Sequence, residues 1–481
     1  MMHIMIKKLA AVLMAGFLVM GLTGCQSNEG QTSSQTEASE DTKDRGESTT
    51  ASESEIVSDF DAKAYFDVLL NGSAEDLENN YTYTDELKSQ LEAQGGFEAL
   101  QQSLQTLGEL KAMEDVIVSC GDNFETYSVP CQFEIQNVNL TVSIDAEGRI
   151  QGIFTLEYTG NGQEEESASL PSGLSEVDLN FPVAGHEGWC LPGTLTLPSG
   201  DGPFPAVVLV HGSGNNDRDE TLLKNKPFRD IAWGLAQKGI AVYRYDKRTY
   251  VYSKEMAADP QLTLDDETVA DAAGAVALLK KQDQIDSERI FVLGHSLGGG
   301  ALPRIHHTLE EQGISAEGYI FLAAPARPLA GMMREQYEFL ASINPVQSEA
   351  QKDQLAEIYE SLDQIEHNLD NLDPNTPVLG AYPAYWKDVQ TYDPVETASS
   401  ITEPCLVLQG EEDYQVTLED YGLWQAAYGE SEHWTFKTYT GLTHLFMNGE
   451  KSQGSQAYMK AQTVDARVIE DIASFINDPF I

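Results

Sequence analysis

Residues 290–300 read IFVLGHSLGGG. Four apolar residues, Ile290 to Leu293, have the composition of a strand buried on both faces. Directly after them a serine stands among four glycines, Gly294, Gly298, Gly299 and Gly300. A strand that turns at once into a helix leaves almost no room two residues before and two residues after the turn. Only glycine-sized side chains fit there, and the residue at the apex is forced into a strained backbone conformation. The pattern G-x-S-x-G in this setting therefore predicts a tight strand-to-helix turn that presents Ser296.

The segments on either side extend the strand-helix rhythm. Ala206–Val210, Ile240–Tyr245, Tyr319–Ala324, Cys405–Gln409 and Trp434–Tyr439 read as further strands. Phe228, Ile231, Ala232 and Leu235 mark a helix closed by Gly239, and Val269, Ala272, Ala273, Val276 and Leu279 mark another, with Thr263 as a cap. A helix through Val464, Val468, Ile472 and Phe475 ends the chain. This alternation predicts an α/β fold, a mostly parallel sheet with helices on both faces. Residues 328–400 are too long for a crossover and predict a helical cap, with Tyr382, Tyr385 and Trp386 suggesting an aromatic-lined mouth.

A serine hydroxyl needs a base, and the base needs a carboxylate to orient it. Both are expected in loops at strand C-termini. Asp413 follows Cys405–Gln409 in LQGEEDYQV, and His444 follows Trp434–Tyr439 in GLTHLF. Glu412 and Asp393 are the rival acids. His295 is expected to pack behind the turn, and His306 and His307 to be structural. A developing oxyanion needs backbone N–H donors. Leu297, at the helix start, supplies one; Ser213, in the loop HGSGNND after Ala206–Val210, is expected to supply the other.

The ordered set HGSGNNDRDE, YRYDKRT, GHSLGG, LQGEEDYQV and GLTHLF resembles the α/β-hydrolase superfamily over residues 175–481. It is close to bacterial secreted esterases and acyl hydrolases of the dienelactone-hydrolase-like and serine-aminopeptidase-like groups. The resemblance implies Ser296 as nucleophile, His444 as base and Asp413 as orienter. It further implies ester cleavage through an acyl-enzyme, with a small-molecule acyl ester as substrate. Serine in place of cysteine at the turn speaks against a dienelactone substrate. The segment Asp246-Lys247-Arg248 reads as structural. No cofactor and no metal are implied, since neither HExxH nor a dinucleotide glycine motif is present. Peptide or thioester cleavage or acyl transfer by the same three residues, a non-catalytic ligand-binding protein, and an adhesion role for the N-terminal domain are the alternatives.

The remainder of the 481 residues sets the context. Lys7 and Lys8 precede an apolar stretch, Leu9 to Leu22, shorter than the roughly 20 residues a spanning helix needs. Leu22-Thr23-Gly24-Cys25 resembles a bacterial lipobox, which implies a signal peptide over 1–25 and lipidation of Cys25. The expected location is the bacterial cell envelope, lipid-anchored and facing outside the cytoplasm. Residues 26–56 are Ser/Thr/Glu-rich and predict a disordered tether. Residues 57–160 predict two helical stretches, around 61–70 and 84–107, followed by an antiparallel sheet; the segment resembles an uncharacterised helix-plus-sheet domain, nuclear-transport-factor-like in shape, and 161–174 form a linker. Cys120 and Cys131 fall in adjacent predicted strands and could pair outside the cytosol. With 77 Asp+Glu against 29 Lys+Arg, the net charge of -48 excludes a nucleic-acid partner.

Overall fold

The structure is a computed structural model that describes residues 60–479 apart from 94, 106, 121–123, 135–136, 146, 158–168 and 345–348. The signal peptide, Cys25 and the tether lie outside the described residues. Contacts divide the chain into two compact units between Asn161 and Gly162.

The first unit places four helices, Ala62–Asn71, Ala74–Asn80, Asp85–Ala93 and Gly96–Gln105, before five antiparallel strands. The strands are β1 (Leu110–Met113), β2 (Ile117–Cys120), β3 (Phe124–Phe133), β4 (Val138–Asp145) and β5 (Ile150–Glu157), in the order β1-β3-β4-β5 with β2 also on β3. Tyr65, Phe66, Leu69 and Leu100 from the helices share one core with Val129, Leu140, Val142 and Ile144 from the sheet. The stretch predicted as one helix over 84–107 is two, because Gly95 and Gly96 both take positive φ, +95 and +76. The helix Ala74–Asn80 went unpredicted, although Ser73 and Asp76 form a reciprocal capping box at its start. The disulfide expectation fails. Cys131 is a buried free thiol opposite Met113 and Val138, whereas Cys120 pairs with Glu125, six residues away along β3.

The second unit is built on an eight-stranded sheet. Its strands are β6 (Ser175–Asp178), β9 (Gly193–Leu197), β10 (Phe204–Val210), β11 (Ala241–Tyr245), β12 (Ile285–His295), β13 (Gly318–Leu322), β14 (Cys405–Gly410) and β15 (Trp434–Tyr439). A short ribbon, β7 (Phe181–Pro182) with β8 (Cys190–Leu191), stands beside it. The order is β15-β14-β13-β12-β10-β11-β9-β6. The six strands from β10 to β15 are mutually parallel, and β9 alone is reversed, pairing antiparallel with both β11 and β6. The expected mostly parallel sheet is present; the reversed strand β9 and the edge strand β6 beyond it were not foreseen. β6 is exposed along its length, so no apolar run marks it.

This order positions a site. After β10 the chain moves to β11 on one side, and after β12 it moves to β13 on the other. The loops leaving the C-terminal ends of β10 and β12 therefore diverge and open a crevice at the strand-order reversal, where ligands bind in such sheets. Between β13 and β14 lie the helices Leu329–Ile343, Glu349–His367 and Pro383–Thr391 of the cap. Met333, Tyr337, Leu362, Tyr385 and Trp386 join the core of the sheet, so the cap is packed onto the body rather than hung from it.

Candidate active site

Ser296 sits between the end of β12 and the helix Leu297–Glu311, with φ 52° and ψ -123°. A non-glycine residue in that region stores strain that the surroundings must hold. A Cβ on Gly294 would lie 2.2 Å from Gly298 O, and one on Gly298 would lie 2.4 Å from Val210 O and 2.6 Å from His211 O. One on Gly299 would meet Ala324 Cβ at 2.7 Å. The glycines are thus space for neighbouring backbone, as the sequence suggested. Ser296 N donates to Leu322 O at 2.9 Å and fixes the turn against β13. Leu297 opens the helix, where N–H groups have no acceptor one turn back.

Asp413 and His444 are brought together from loops after β14 and β15. Asp413 Oδ2 accepts from His444 Nδ1 at 2.7 Å and from Gln409 Nε2 at 3.1 Å. Its Oδ1 accepts from the backbone N–H groups of Gln415 and Val416 at 2.7 and 3.1 Å. Four donors use both oxygens of this buried carboxylate, and the bond to Nδ1 fixes which ring nitrogen of His444 carries a proton. Nε2 is left to face the crevice. The rivals are elsewhere: Glu412 accepts from Lys451 N at 2.8 Å, and Asp393 caps the helix Pro394–Thr397. Gly212, Ser213, Asn216, Glu220, Leu222, His295, Ser296, Gln415, His444 and Leu445 line one pocket. Ser296 and His444 share it without a direct hydrogen bond among the described residues; such bonds commonly tighten only around substrate.

The wall opposite the serine is the loop His211–Asn216. Its anchor is Gly212, whose N–H donates to Glu220 Oε1 at 2.7 Å. The second oxygen of Glu220 lies 2.8 Å from His295 Nδ1, an ion pair rather than an aligned hydrogen bond. His295 Nε2 in turn lies 3.0 Å from the carbonyl oxygen of His444. Burial alone would lower the His295 pKa, but the Glu220 carboxylate wins and raises it above 6.5. Burial works against the Glu220 charge too, yet the His295 ring holds its pKa below 4.5. His295 thus links the loop at Glu220 to the backbone of His444, as well as packing behind the turn.

A model of the Hydrolase_4 family, described as serine aminopeptidase S33, matches residues 203–451. The chain is also 36% identical over 396 residues to Esterase EstD of Thermotoga maritima, covering 82% of this chain and 89% of that one. The chain belongs to the Hydrolase_4 family. Esterase FrsA of Klebsiella pneumoniae is a more distant relative of this hydrolase, 27% identical over 153 residues, 32% of this chain and 33% of that one. Among solved structures, a hyperthermophilic esterase from the archaeon Pyrobaculum calidifontis is 17% identical, with a TM-score of 0.42 over 63% of this chain and 86% of that one.

Several residues of this Hydrolase_4 chain fall differently from expectation. Tyr385 and Trp386 do not line the pocket: both are buried, the Tyr385 hydroxyl on Glu267 Oε2 at 2.6 Å and Trp386 Nε1 on Val378 O at 2.8 Å. An aromatic helix start reads the same from sequence whether its rings face a mouth or a core. His306 is buried against Tyr319, and His307 is exposed on the same helix. Glu220, Lys247 and Glu267, all buried, were missed as site residues. For Glu220 and Lys247 the one available signal was the density of charge in DRDE and DKR, in the segments that follow two core strands; Glu267 had none. Among the described residues a three-ligand cluster, Asp363, Glu366 and His367, lies on a cap helix, but both carboxylates already pair with Arg334 at 2.7 Å. No helix among the described residues is long and apolar enough to cross a membrane.

Proposed function

We propose that this hydrolase cleaves carboxylic esters of small or medium acyl groups through an acyl-enzyme on Ser296. The observation that carries the reading is the Asp413–His444 pair at 2.7 Å, opening on the same pocket as a serine held at φ 52°. Ser296 Oγ attacks the ester carbonyl while His444 Nε2 takes its proton. Asp413 stays ionised and steadies the imidazolium. The N–H groups of Ser213 and Leu297 receive the oxyanion. His444 then gives the proton to the departing alcohol, and a water activated by the same nitrogen releases the acid. The naming of two relatives as esterases supports the ester over the amide.

A burst of p-nitrophenol equal to the protein concentration, followed by slower turnover, is expected with p-nitrophenyl esters of short to medium chain. Equal activity in Ser296→Ala would remove the reading. A second reading, peptide cleavage, is favoured only by the description of the family model. Turnover of aminoacyl naphthylamides faster than of naphthyl esters would establish it. The sequence around Cys25 further supports a lipid-anchored envelope enzyme. Cys25→Ala should then move the protein from the membrane to the soluble fraction of a bacterial host, and retention at the membrane would contradict anchoring there.

A further inference from the structure

Lys247 belongs to a charged turn that the reaction above leaves unused, yet its Nζ reaches the peptide on which the oxyanion depends. Lys247 is 2% exposed, and its Nζ donates to Gly212 O at 2.9 Å and to Glu267 Oε1 at 2.6 Å. Asn216 Nδ2 donates to the same Gly212 carbonyl at 3.1 Å. That carbonyl and the N–H of Ser213 are two ends of one planar, conjugated amide. Hydrogen bonds that draw electron density to the oxygen make the N–H at the other end a stronger donor, and the effect grows in a low-dielectric interior.

Gly212 needs such fixing. A Cβ there would sit tightly, 3.1 Å from Ser296 Cβ and 3.2 Å from Glu220 Oε1, and the glycine that occupies the position has glycine's backbone freedom. Two buried charged side chains remove that freedom, Glu220 on its N–H and Lys247 on its C=O. Lys247 is itself tied outward. Glu267 lies in a π-helical turn, Asp265–Val269, a local distortion that often accompanies functional sites. Its other oxygen accepts from Tyr385 Oη on the cap helix Pro383–Thr391. A buried ion pair contributes little net stability compared with an apolar pair of similar volume. Packing alone therefore does not explain a cation placed one peptide from the pocket wall.

We propose that Lys247 is a positioning residue for the hydrolytic reaction: bonded to Gly212 O, it aims and polarises the Gly212–Ser213 peptide so that Ser213 N–H receives the oxyanion, while Glu267 and Tyr385 tie that peptide to the cap. The inference rests on Ser296 as nucleophile and Ser213 as oxyanion donor.

The test compares wild type with Lys247→Met/Glu267→Gln, which removes the cation without stranding a buried carboxylate. Active sites are first counted by end-point fluorophosphonate labelling. Then kcat, KM and the Ki of an aryl trifluoromethyl ketone, which forms an oxyanion on the serine, are measured per labelled site. The double variant should lose roughly tenfold in kcat, part of the 10²–10³ that a whole oxyanion donor supplies. KM should stay within twofold, and Ki should rise in step with the loss in kcat/KM. Tyr385→Phe should move the same quantities in the same direction by less. An unchanged kcat, or a KM change with an unmoved Ki, overturns the proposal. If the double variant does not fold, Tyr385→Phe alone carries the same readout, and an unmoved kcat and Ki there overturn the proposal equally. A wild type that takes no fluorophosphonate at Ser296 would instead sink the underlying reading of the serine.

Discussion

The two walls of the pocket are held by different physics. The turn Gly294–Gly300 is held by contact: neighbouring atoms approach so closely that Gly294, Gly298 and Gly299 exclude a side chain, and Ser296 is driven to positive φ by local geometry. The loop His211–Asn216 is held by buried charge, with Glu220, Lys247 and Asn216 converging on one glycine. The first wall is a steric device written in consecutive residues. The second is an electrostatic device whose parts come from three segments of the chain. One consequence is that substitutions on the first wall should damage folding, whereas substitutions on the second should damage rate.

The largest effect lies between the walls. His444→Ala should lower kcat by roughly 10⁴ to 10⁶ and Asp413→Asn by about 10⁴, with folding intact by circular dichroism. A small loss in either would mean that the base lies elsewhere. Next is the steric wall. Gly298→Ala sets a Cβ against two carbonyl oxygens at 2.4 and 2.6 Å, so a loss of about 3 kcal/mol or more is expected in urea unfolding. Unchanged stability would show that the turn has slack.

Two smaller effects probe the charged wall. His211 is fully buried between Phe228 and Tyr245, and burial pushes its pKa down to about 4. Its unfolded value is near 6.5, so the unfolded chain binds the extra proton first as pH falls. The neutral ring's contribution is complete above pH 6.5 and is lost progressively down to about pH 4, on the order of 3 kcal/mol. Unfolding free energies at pH 7 and 4.5 should show this loss in wild type and a flatter profile in His211→Leu. Parallel profiles would refute it.

The smallest effect is Glu220→Gln. The amide keeps an acceptor for Gly212 N–H but no longer supports a charged His295, so the ring gives up its extra proton instead of remaining buried and unpaired. About a tenfold loss in kcat per labelled serine is expected. The wild-type ion pair has its own pH window. The Glu220 contribution is complete above about pH 4.5 and is lost as pH falls through its lowered pKa. The His295 contribution is complete below about pH 6.5 and is lost as pH rises through its raised pKa. Glu220→Gln should remove both dependences from the unfolding profile.

Legibility in the sequence follows the same divide. The turn around Ser296 could be read because its constraints act over five residues, and glycine is the only residue that meets them. Asp413 and His444 could be located because loops at parallel-strand ends are where such a sheet gathers its polar groups. Glu220, Lys247 and Glu267 could not, because a charged residue near a loop normally faces water, and only the folded chain shows that their partners bury them. Tyr385 misled for a related reason: its ring looked available for a ligand, while its hydroxyl is committed to Glu267. At the fold level the apolar strands β10 to β14 were plain, and β6, polar and exposed, was not. The helix break at Gly95 and Gly96 was visible in composition and overlooked in favour of periodicity.

Hydrolysis depends on Ser296 being made reactive by His444 within one crevice. Intact-mass analysis after reaction with a fluorophosphonate tests this most directly. The expected result is one adduct per chain, mapped to the peptide holding Ser296, absent in Ser296→Ala and slowed by orders of magnitude in His444→Ala. An adduct on another residue, or labelling at the same rate without His444, would contradict it.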